Sequence, residues 1–417
     1  MKKIEKNLFF DVDEINSIIK ILSSLPGEES RFVGGIVRDL ILTKSFKNYD
    51  IDIATTITPS ALINLFKKTK VDYNMKGFNY GTVNVKINNY FFDITTLRSE
   101  INFNGRHPEV EYTKDWSIDS NRRDFTFNAI YIDFEGIIHD PFNGSEDLIE
   151  GKVRFIGRPE DRIKEDPLRV LRYFRFLGLF SKSSPDRESV IACSKLSGSI
   201  AILSKERITH EFLRILEIPD PNYTIAAMIE SGVLQQFFPQ ASRPDRLEFL
   251  YNLEISAGIE PDPILRIASL IFLPDNAKKL IIKKLNKNFT FSKNQKKRLD
   301  YLLDKNLSVQ EKMSIYDIKK LLFRLGSYKV FFDIIFITWA REGAEKDFRK
   351  IIENTAKIDI PILPIKGGDL KKLNVKPENI RFLLEQIEDW WIKSDFTKNK
   401  EECILEAKKR IKSDKLL

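Results

Sequence analysis

The stretch from Phe32 to Ala54, FVGGIVRDLILTKSFKNYDIDIA, constrains this chain more than any other. It opens apolar, turns on Gly34-Gly35 and runs into a short amphipathic segment with Arg38 and Asp39. It ends in Asp50-Ile51-Asp52 on a second β-rich run. A glycine pair lets backbone N–H groups approach an anion with no side chain in the way. Asp50 and Asp52 lie two apart, so on a strand both carboxylates leave one face. Two such carboxylates repel unless a cation lies between them. Mg²⁺, held by a few carboxylates plus substrate phosphates, is the usual one. A phosphate cradle beside a metal-binding pair points to nucleotide chemistry. Each feature alone also fits an ordinary glycine turn and a solvated Asp pair.

At 417 residues the chain exceeds one typical core, which predicts two to four domains. Hydrophobic content of 42% and charged content of 31% fit a globular protein. No apolar run approaches membrane-span length. The start, MKKIEKNLFF, lacks a long apolar segment with a cleavage site and reads as untargeted and cytoplasmic. Cys193 and Cys403 stand far apart, which argues against a disulfide framework. His107, His139 and His210 are scattered, which argues against a His/Cys zinc site. The net charge of +8 suits a polyanionic partner.

The pattern predicts an amphipathic helix over 11–25, capped by Asp11 or Asp13 and ended by Pro26-Gly27. β signals concentrate from 31 to 134. The runs 81–87 and 90–97 flank Asn88-Asn89, a hairpin signal, and 130–134 is a further strand. Ser99 to Asp119 reads as a long polar irregular loop with a turn at Gly105-Arg106-His107-Pro108. After about residue 145 the spacing turns helical, over 161–180, 206–216, 223–229, 263–272 and 315–355. Residues 278–298 carry nine Lys and Arg, which fits a solvated helix face or a nucleic-acid contact. A break at 361–368 precedes a last helical stretch.

Three further clusters carry chemistry. Asp93 faces away from Phe92 in the alternation, so a neighbouring strand can align it with Asp50 and Asp52. Three carboxylates on adjacent strands fit a two-metal site with metals about 3.5–4 Å apart. The segment Arg122-Arg123-Asp124-Phe125-Thr126-Phe127-Asn128 offers guanidinium forks for phosphate and ribose oxygens. Asp124 and Asn128, four apart, can share one side of a helical turn. In Glu165-Asp166-Pro167-Leu168-Arg169, Pro167 suits a first helical turn. Asp166, Arg169, Arg172 and Arg175 recur every three residues as one polar ridge. Leu168, Leu171, Phe174 and Leu177 pack inward. An Asp beside an Arg offers an acceptor and donors to a base edge. Cytosine and adenine both present an amino donor beside a ring-nitrogen acceptor, and guanine and uracil present the reverse. Taken alone, Asp93 also fits a solvent-facing residue on an edge strand, the second cluster a salt-bridged helix start and the third an ordinary i, i+3 ion pair.

Together these segments resemble the class II tRNA nucleotidyltransferase (CCA-adding) and poly(A) polymerase family over the first 220 residues. The matching motifs are Gly34-Gly35-Ile36-Val37-Arg38-Asp39 with Asp50-Ile51-Asp52, then Arg122-Arg123-Asp124-Phe125. Asp140-Pro141-Phe142-Asn143-Gly144 follows, running through Asp147-Leu148 to Arg154. Glu165 to Arg169 and Glu206-Arg207-Ile208 with Glu211 complete the set. Residues 365–370 look like the family's tail motif, whereas 373–378 lack its glycines. The resemblance implies an α+β protein. Its head, over 1–146, would be a polymerase-β-like antiparallel sheet with helices. A helical neck over 147–220, a body over 221–310 and a tail over 311–417 would follow. It implies Asp50, Asp52 and Asp93 as catalytic, with Asp50 and Asp52 holding Mg²⁺. Gly34, Gly35, Arg38, Arg123, Asp124, Asp166, Arg169, Arg172 and Arg175 would bind the nucleotide, with Asp166 and Arg169 reading the base. CTP and ATP would be substrates and tRNA the partner, lying along the basic body and tail. The loop carrying Arg106 would act as a hinged arm that helps reset the pocket between additions. A poly(A) polymerase, a partial CC- or A-adding enzyme, and an RNA-binding module with a dead site remain open alternatives.

Overall fold

The computed structural model describes residues 3–4, 9–43, 50–101, 109–182, 184–307 and 309–414. Arg106 and the Gly105–Pro108 turn lie outside them. The chain forms two compact units, Met1–Pro239 with Asn288–Thr290, and Gln240–Lys287 with Phe291–Leu417.

The first unit begins with α1 (Asp13–Leu22), β1 (Ser30–Val33), α2 (Gly35–Thr43), β2 (Asp50–Thr55) and α3 (Pro59–Thr69). It continues through β3 (Asp72–Asn74), β4 (Thr82–Ile87), β5 (Tyr90–Thr96), β6 (Arg98–Ile101), β7 (Glu109–Tyr112) and α4 (Trp116–Asn121). Then come β8 (Tyr131–Asp133), β9 (Ile138–His139), α5 (Gly144–Glu150), α6 (Pro159–Glu165), α7 (Leu168–Phe180), α8 (Arg187–Lys195) and α9 (Lys205–Leu216). Seven strands form one sheet in the order β3-β4-β5-β2-β1-β8-β9.

The sheet is mixed rather than antiparallel. β2 and β5 run parallel, and every other neighbouring pair is antiparallel. The cause is connectivity. β2 reaches β5 only after α3, β3 and β4, and a crossover of that kind returns the chain in the same direction. Asn88 turns the β4–β5 hairpin with φ 53°, a left-handed conformation asparagine tolerates.

Other differences from the sequence reading have local causes. α1 starts on Val12 with no side-chain cap, so neither Asp11 nor Asp13 caps it. Asp13 and Glu14 instead sit in its first turn, where the helix dipole favours them. The supposed irregular segment Ser99–Asp119 contains the β6–β7 ribbon, with Arg98 opposite Tyr112, and then α4, capped by the Asp115 carboxylate. A two-stranded ribbon outside the main sheet has little face to bury, so its alternation is muted in the sequence. The helical run 161–180 is two helices. Pro167 disfavours the helical conformation for its predecessor, and Asp166 is extended at φ −147°, ψ 103°.

An aromatic block fixes α7 against the Arg122–Asn128 segment. Phe125 meets Phe176 edge-on at 5.3 Å, and Phe127 meets Phe176 at 5.2 Å and Phe180 at 5.5 Å. Full burial of such a ring is worth about 1.5–3 kcal/mol. These contacts help to keep Arg172 opposite Asp124, which it reaches at 2.6 Å.

The second unit is helical throughout its described residues. Glycines break the run 315–355, at Gly326 in the left-handed region and at Gly343. Ile365, Leu370, Leu383, Ile387, Trp391, Cys403 and Ala407 build a core of their own near the C-terminal end. Lys278 pairs with Asp304 at 2.8 Å and Arg298 with Asp333 at 2.6 Å, so these two cations of the basic run face protein partners. No described helix is long and apolar enough to cross a membrane.

Candidate active site

The three sequence-singled carboxylates meet where β1, β2 and β5 lie side by side. Asp52 is directly opposite Asp93 in the parallel pair, and Asp50 is opposite Phe91. On β2, Asp50 and Asp52 are exposed while Ile51 and Ile53 are buried, so both carboxylates leave the outer face. Val33 of β1 pairs with Asp52 on its other side, and Gly34 follows at φ 79°. A Cβ on Gly34 would lie 2.5 Å from Asp52 Oδ2. The first glycine of the pair is thus required by close approach as well as by its backbone angle. Gly35 opens α2, and a Cβ there would make only ordinary contact with Arg38.

Asp52 is exposed on the strand, although protein crowds its carboxyl. This burial, followed by the charge of Asp93, pushes its pKa up to about 6, against the pull of Arg123 and Arg38. Asp93 Oδ1 accepts a hydrogen bond from Asn84 Nδ2 at 2.6 Å. Among the described residues no three His, Cys, Asp or Glu side chains close into a ready-made metal cage. That pattern fits Mg²⁺, which takes one or two protein carboxylates and completes its shell with water and substrate oxygens. The like carboxylates of Asp52 and Asp93, directly opposite each other, are the observation that favours a hard divalent cation here.

Beside the carboxylates stands an arginine cluster. Asp124 is 7% exposed and its acceptors are engaged. Oδ1 takes Asn128 Nδ2 at 2.7 Å and the Phe125 N–H at 3.0 Å, and Oδ2 takes Arg172 Nε at 2.6 Å. Burial alone would raise this carboxyl, but the Arg172 guanidinium holds it at about 2. Asp124 therefore orients Arg172 and Asn128. Arg38 donates to Asn128 Oδ1 and lies over the Phe176 ring at 5.2 Å. Burial, and then repulsion from Arg172, push the Arg38 guanidinium down to about 10. Arginines crowded this way leave positive potential that a triphosphate would neutralise. Arg172 keeps 30% of its side chain exposed, within reach of a ligand.

The ridge expected on α7 turns partly inward. Arg175 is 8% exposed, packs over Phe176 at 4.7 Å and lies 2.8 Å from Glu211. That contact is off the hydrogen-bonding axis, which makes it an ion pair only. Arg175 thus faces Glu211 and Phe176 in this structure, one helical turn from Arg172. Arg169, 7% exposed, donates to Glu165 at 2.5 Å and to the Arg122 carbonyl at 3.0 Å. Asp166 accepts from Arg207 Nη2 at 3.0 and 2.8 Å. Asp166 and Arg169 lie on the same bend, joined by the Arg169 N–H to Asp166 carbonyl bond at 3.0 Å, but their side chains take separate partners. Sequence reading singled out Arg207 within its motif and missed its partner. An ion pair between residues 41 positions apart leaves no local signal.

Arg123 is held by Asp119 and by the Tyr131 hydroxyl at 3.0 Å. Neither Asp119 nor Tyr131 was singled out from the sequence, where one reads as a loop end and the other as a strand hydrophobe.

Comparison with known proteins adds the following. The family model described as "Poly A polymerase head domain" matches residues 30–154. That described as "Probable RNA and SrmB- binding site of polymerase A" matches residues 184–243. A human protein, "CCA tRNA nucleotidyltransferase 1, mitochondrial", is 32% identical over 394 residues, covering 91% of this chain and 87% of that protein. The crystal structure of the Bacillus stearothermophilus CCA-adding enzyme in complex with CTP superposes with a TM-score of 0.68 at 21% identity. It covers 97% of this chain and 99% of that one. The Thermotoga maritima CCA-adding enzyme complexed with tRNA gives 0.65 at 22% identity, covering 98% of this chain and 99% of that one.

Proposed function

Because the chain belongs to the CCA tRNA nucleotidyltransferase family, we propose that it adds C, C and A to the 3′ ends of tRNA, using CTP and ATP without a nucleic-acid template. The observation that carries this reading is the alignment of Asp52 with Asp93 beside Gly34, facing the arginine cluster. An acidic strand end next to a surplus of guanidinium charge suits a triphosphate whose α-phosphorus lies at the carboxylates. The RNA 3′-hydroxyl oxygen bonds to that phosphorus, the bond to the β-phosphate bridging oxygen breaks, and pyrophosphate leaves. Asp50 and Asp52 would hold Mg²⁺, with Asp93 beside them. The cation would supply charge neutralisation at the phosphates and acidify the attacking hydroxyl.

The remaining work falls to this chain's own side chains. The Gly34-Gly35 turn admits phosphate close to the backbone. Arg172, aimed by Asp124, and Arg38, braced by Asn128, attract the triphosphate. Asp166 and Arg169, on the bend that Pro167 imposes, present an acceptor and donors to the base edge, with Arg207 and Glu165 holding them in place. Most of the acceleration then comes from positioning and fixed charge. The lysines of 279–297 would meet the phosphates of tRNA.

The same proposal assigns a head over 1–146, a neck over 147–220, a body over 221–310 and a tail over 311–417. It also assigns residence in the cytoplasm. The human relative carries "mitochondrial" in its name, so fractionation of the source cell decides that point.

The test is incubation with tRNA lacking its 3′ end, CTP, ATP and Mg²⁺, followed by sequencing of the product ends. Ends completed to CCA and then static are expected. Long runs of A would replace this reading with a poly(A) polymerase. Products halted at CC, or built only from tRNA already ending in CC, would identify a partial enzyme.

A further inference from the structure

Asp119 is almost wholly enclosed, with 1% of its surface exposed, and it gathers three side chains. Its Oδ1 takes Arg122 Nε at 2.9 Å and Nη2 at 2.6 Å. Its Oδ2 takes Arg123 Nε at 3.1 Å, Arg123 Nη2 at 2.9 Å and the Tyr131 hydroxyl at 2.8 Å. Tyr131 also accepts from Arg123 Nε at 3.0 Å, closing a ring of contacts. Burial would raise the Asp119 carboxyl, but Arg123 and Arg122 hold it far below the usual range, so it stays charged.

The partners of this carboxylate lead to both halves of the site. Tyr131 pairs with Val33 on β8–β1, and Val33 pairs with Asp52 on β1–β2. Arg123, fixed between Asp119 and Tyr131, lies near enough to draw down the Asp52 carboxyl. On the other side, the Arg122 carbonyl accepts from Arg169 Nη2 at 3.0 Å. The same backbone step thus carries Arg123 toward the carboxylates and a seat for Arg169 toward the base.

We propose that Asp119 is a positioning residue, which fixes the Arg122-Arg123 step so that the catalytic carboxylates and the base-reading Arg169 keep one geometry. It need not touch substrate. The inference rests on the nucleotide-addition reading above. A merely structural role is the rival account, since breaking a buried ion pair commonly costs stability. The two accounts differ in what the folded fraction does. Stability alone changes how much enzyme is folded, whereas positioning changes the Michaelis constant and the choice of base.

The experiment uses the full chain with Asp119→Asn, and with Tyr131→Phe as the milder variant that keeps the carboxylate. Folded fraction is read by circular dichroism. Steady-state incorporation of each of the four nucleotides is read on tRNA lacking its 3′ end and on tRNA ending in CC. Folded Asp119→Asn should show KM for CTP and ATP raised by about 10- to 100-fold, with UTP and GTP incorporated more readily. Tyr131→Phe should move both readouts the same way by a smaller factor. Wild-type KM and discrimination in folded Asp119→Asn would overturn the inference. If that variant does not fold, the same result in Tyr131→Phe would overturn it. Should the wild-type chain add no nucleotide at all, the functional reading fails instead. CTP affinity by calorimetry then decides the inference, and unchanged affinity in both variants overturns it.

Discussion

The two halves of the site solve opposite electrostatic problems. At the end of β2, Asp52 faces Asp93 with like charge, and its carboxyl is pushed up to about 6. Asp124 and Asp119 are buried deeper, yet arginines hold both carboxyls low. Burial acts in the same direction on all three, so the difference lies in the partners. On the arginine side each of these two carboxylates is charge-paired and holds a geometry. The acidic side is left with a repulsion between like charges that a cation would relieve. Stability is invested in the scaffold, and strain is kept where substrate arrives.

The harshest way to break this comparison is to remove a carboxylate from the acidic side. Asp50→Ala or Asp52→Ala should lower incorporation of both CTP and ATP by about 10³-fold or more, with the fold intact. Circular dichroism and a primer-extension assay on the same preparation check this. Folded protein with near-normal turnover would remove these residues from the cation site.

Gly34→Ala strikes the same place through the backbone. The left-handed angle and the 2.5 Å approach to Asp52 Oδ2 must both be relieved. A stability loss of about 1–3 kcal/mol is expected, together with displacement of the carboxylate. Chemical denaturation and kcat measured together show whether the two losses coincide.

On the bend that Pro167 imposes, proposed to read the base, Asp166→Ala or Arg169→Ala should loosen discrimination against GTP and UTP by about 10- to 100-fold. Each removes a hydrogen-bonding partner and leaves the other group of the recognition edge unmatched. Single-nucleotide incorporation with all four triphosphates reads the effect, and unchanged selectivity would mean that this pair does not read the base.

The smallest effect is on pH. The Asp124 carboxyl is lower in the folded protein, about 2, than its ordinary 3.8. Its contribution is therefore full above pH about 4 and is lost as pH falls toward 2, amounting to about 2 kcal/mol. Asp124→Asn should flatten this part of the acid-unfolding curve, followed by tryptophan fluorescence.

Much of the acidic side was readable in the sequence because its signals are local. The Gly34-Gly35 turn, the period-two spacing of Asp50 and Asp52, and the placement of Asp93 opposite to Phe92 all follow from a few adjacent residues. Their alignment across adjacent strands was anticipated, but not that this one pair, β2 with β5, runs parallel in an otherwise antiparallel sheet. The scaffold was harder to read. Asp119 with Tyr131, Asp166 with Arg207, and Arg175 with Glu211 join residues far apart in the chain, and no periodicity encodes such pairs. The polar ridge on α7 failed for a related reason. A three-residue spacing says that side chains share a face, but not whether that face meets water or another helix.

The comparison rests on one claim: Asp52 is strained by its neighbours, whereas Asp124 is stabilised by them. Thermal unfolding of Asp52→Asn and Asp124→Asn at neutral pH, without divalent metal, tests it most directly. Because the folded-state carboxyl of Asp52 is raised from 3.8 to about 6, its charge opposes folding above that pH. Asp52→Asn should therefore melt at or above the wild-type temperature while losing nucleotide addition, and Asp124→Asn should melt below it. Equal destabilisation by the two substitutions would contradict the account.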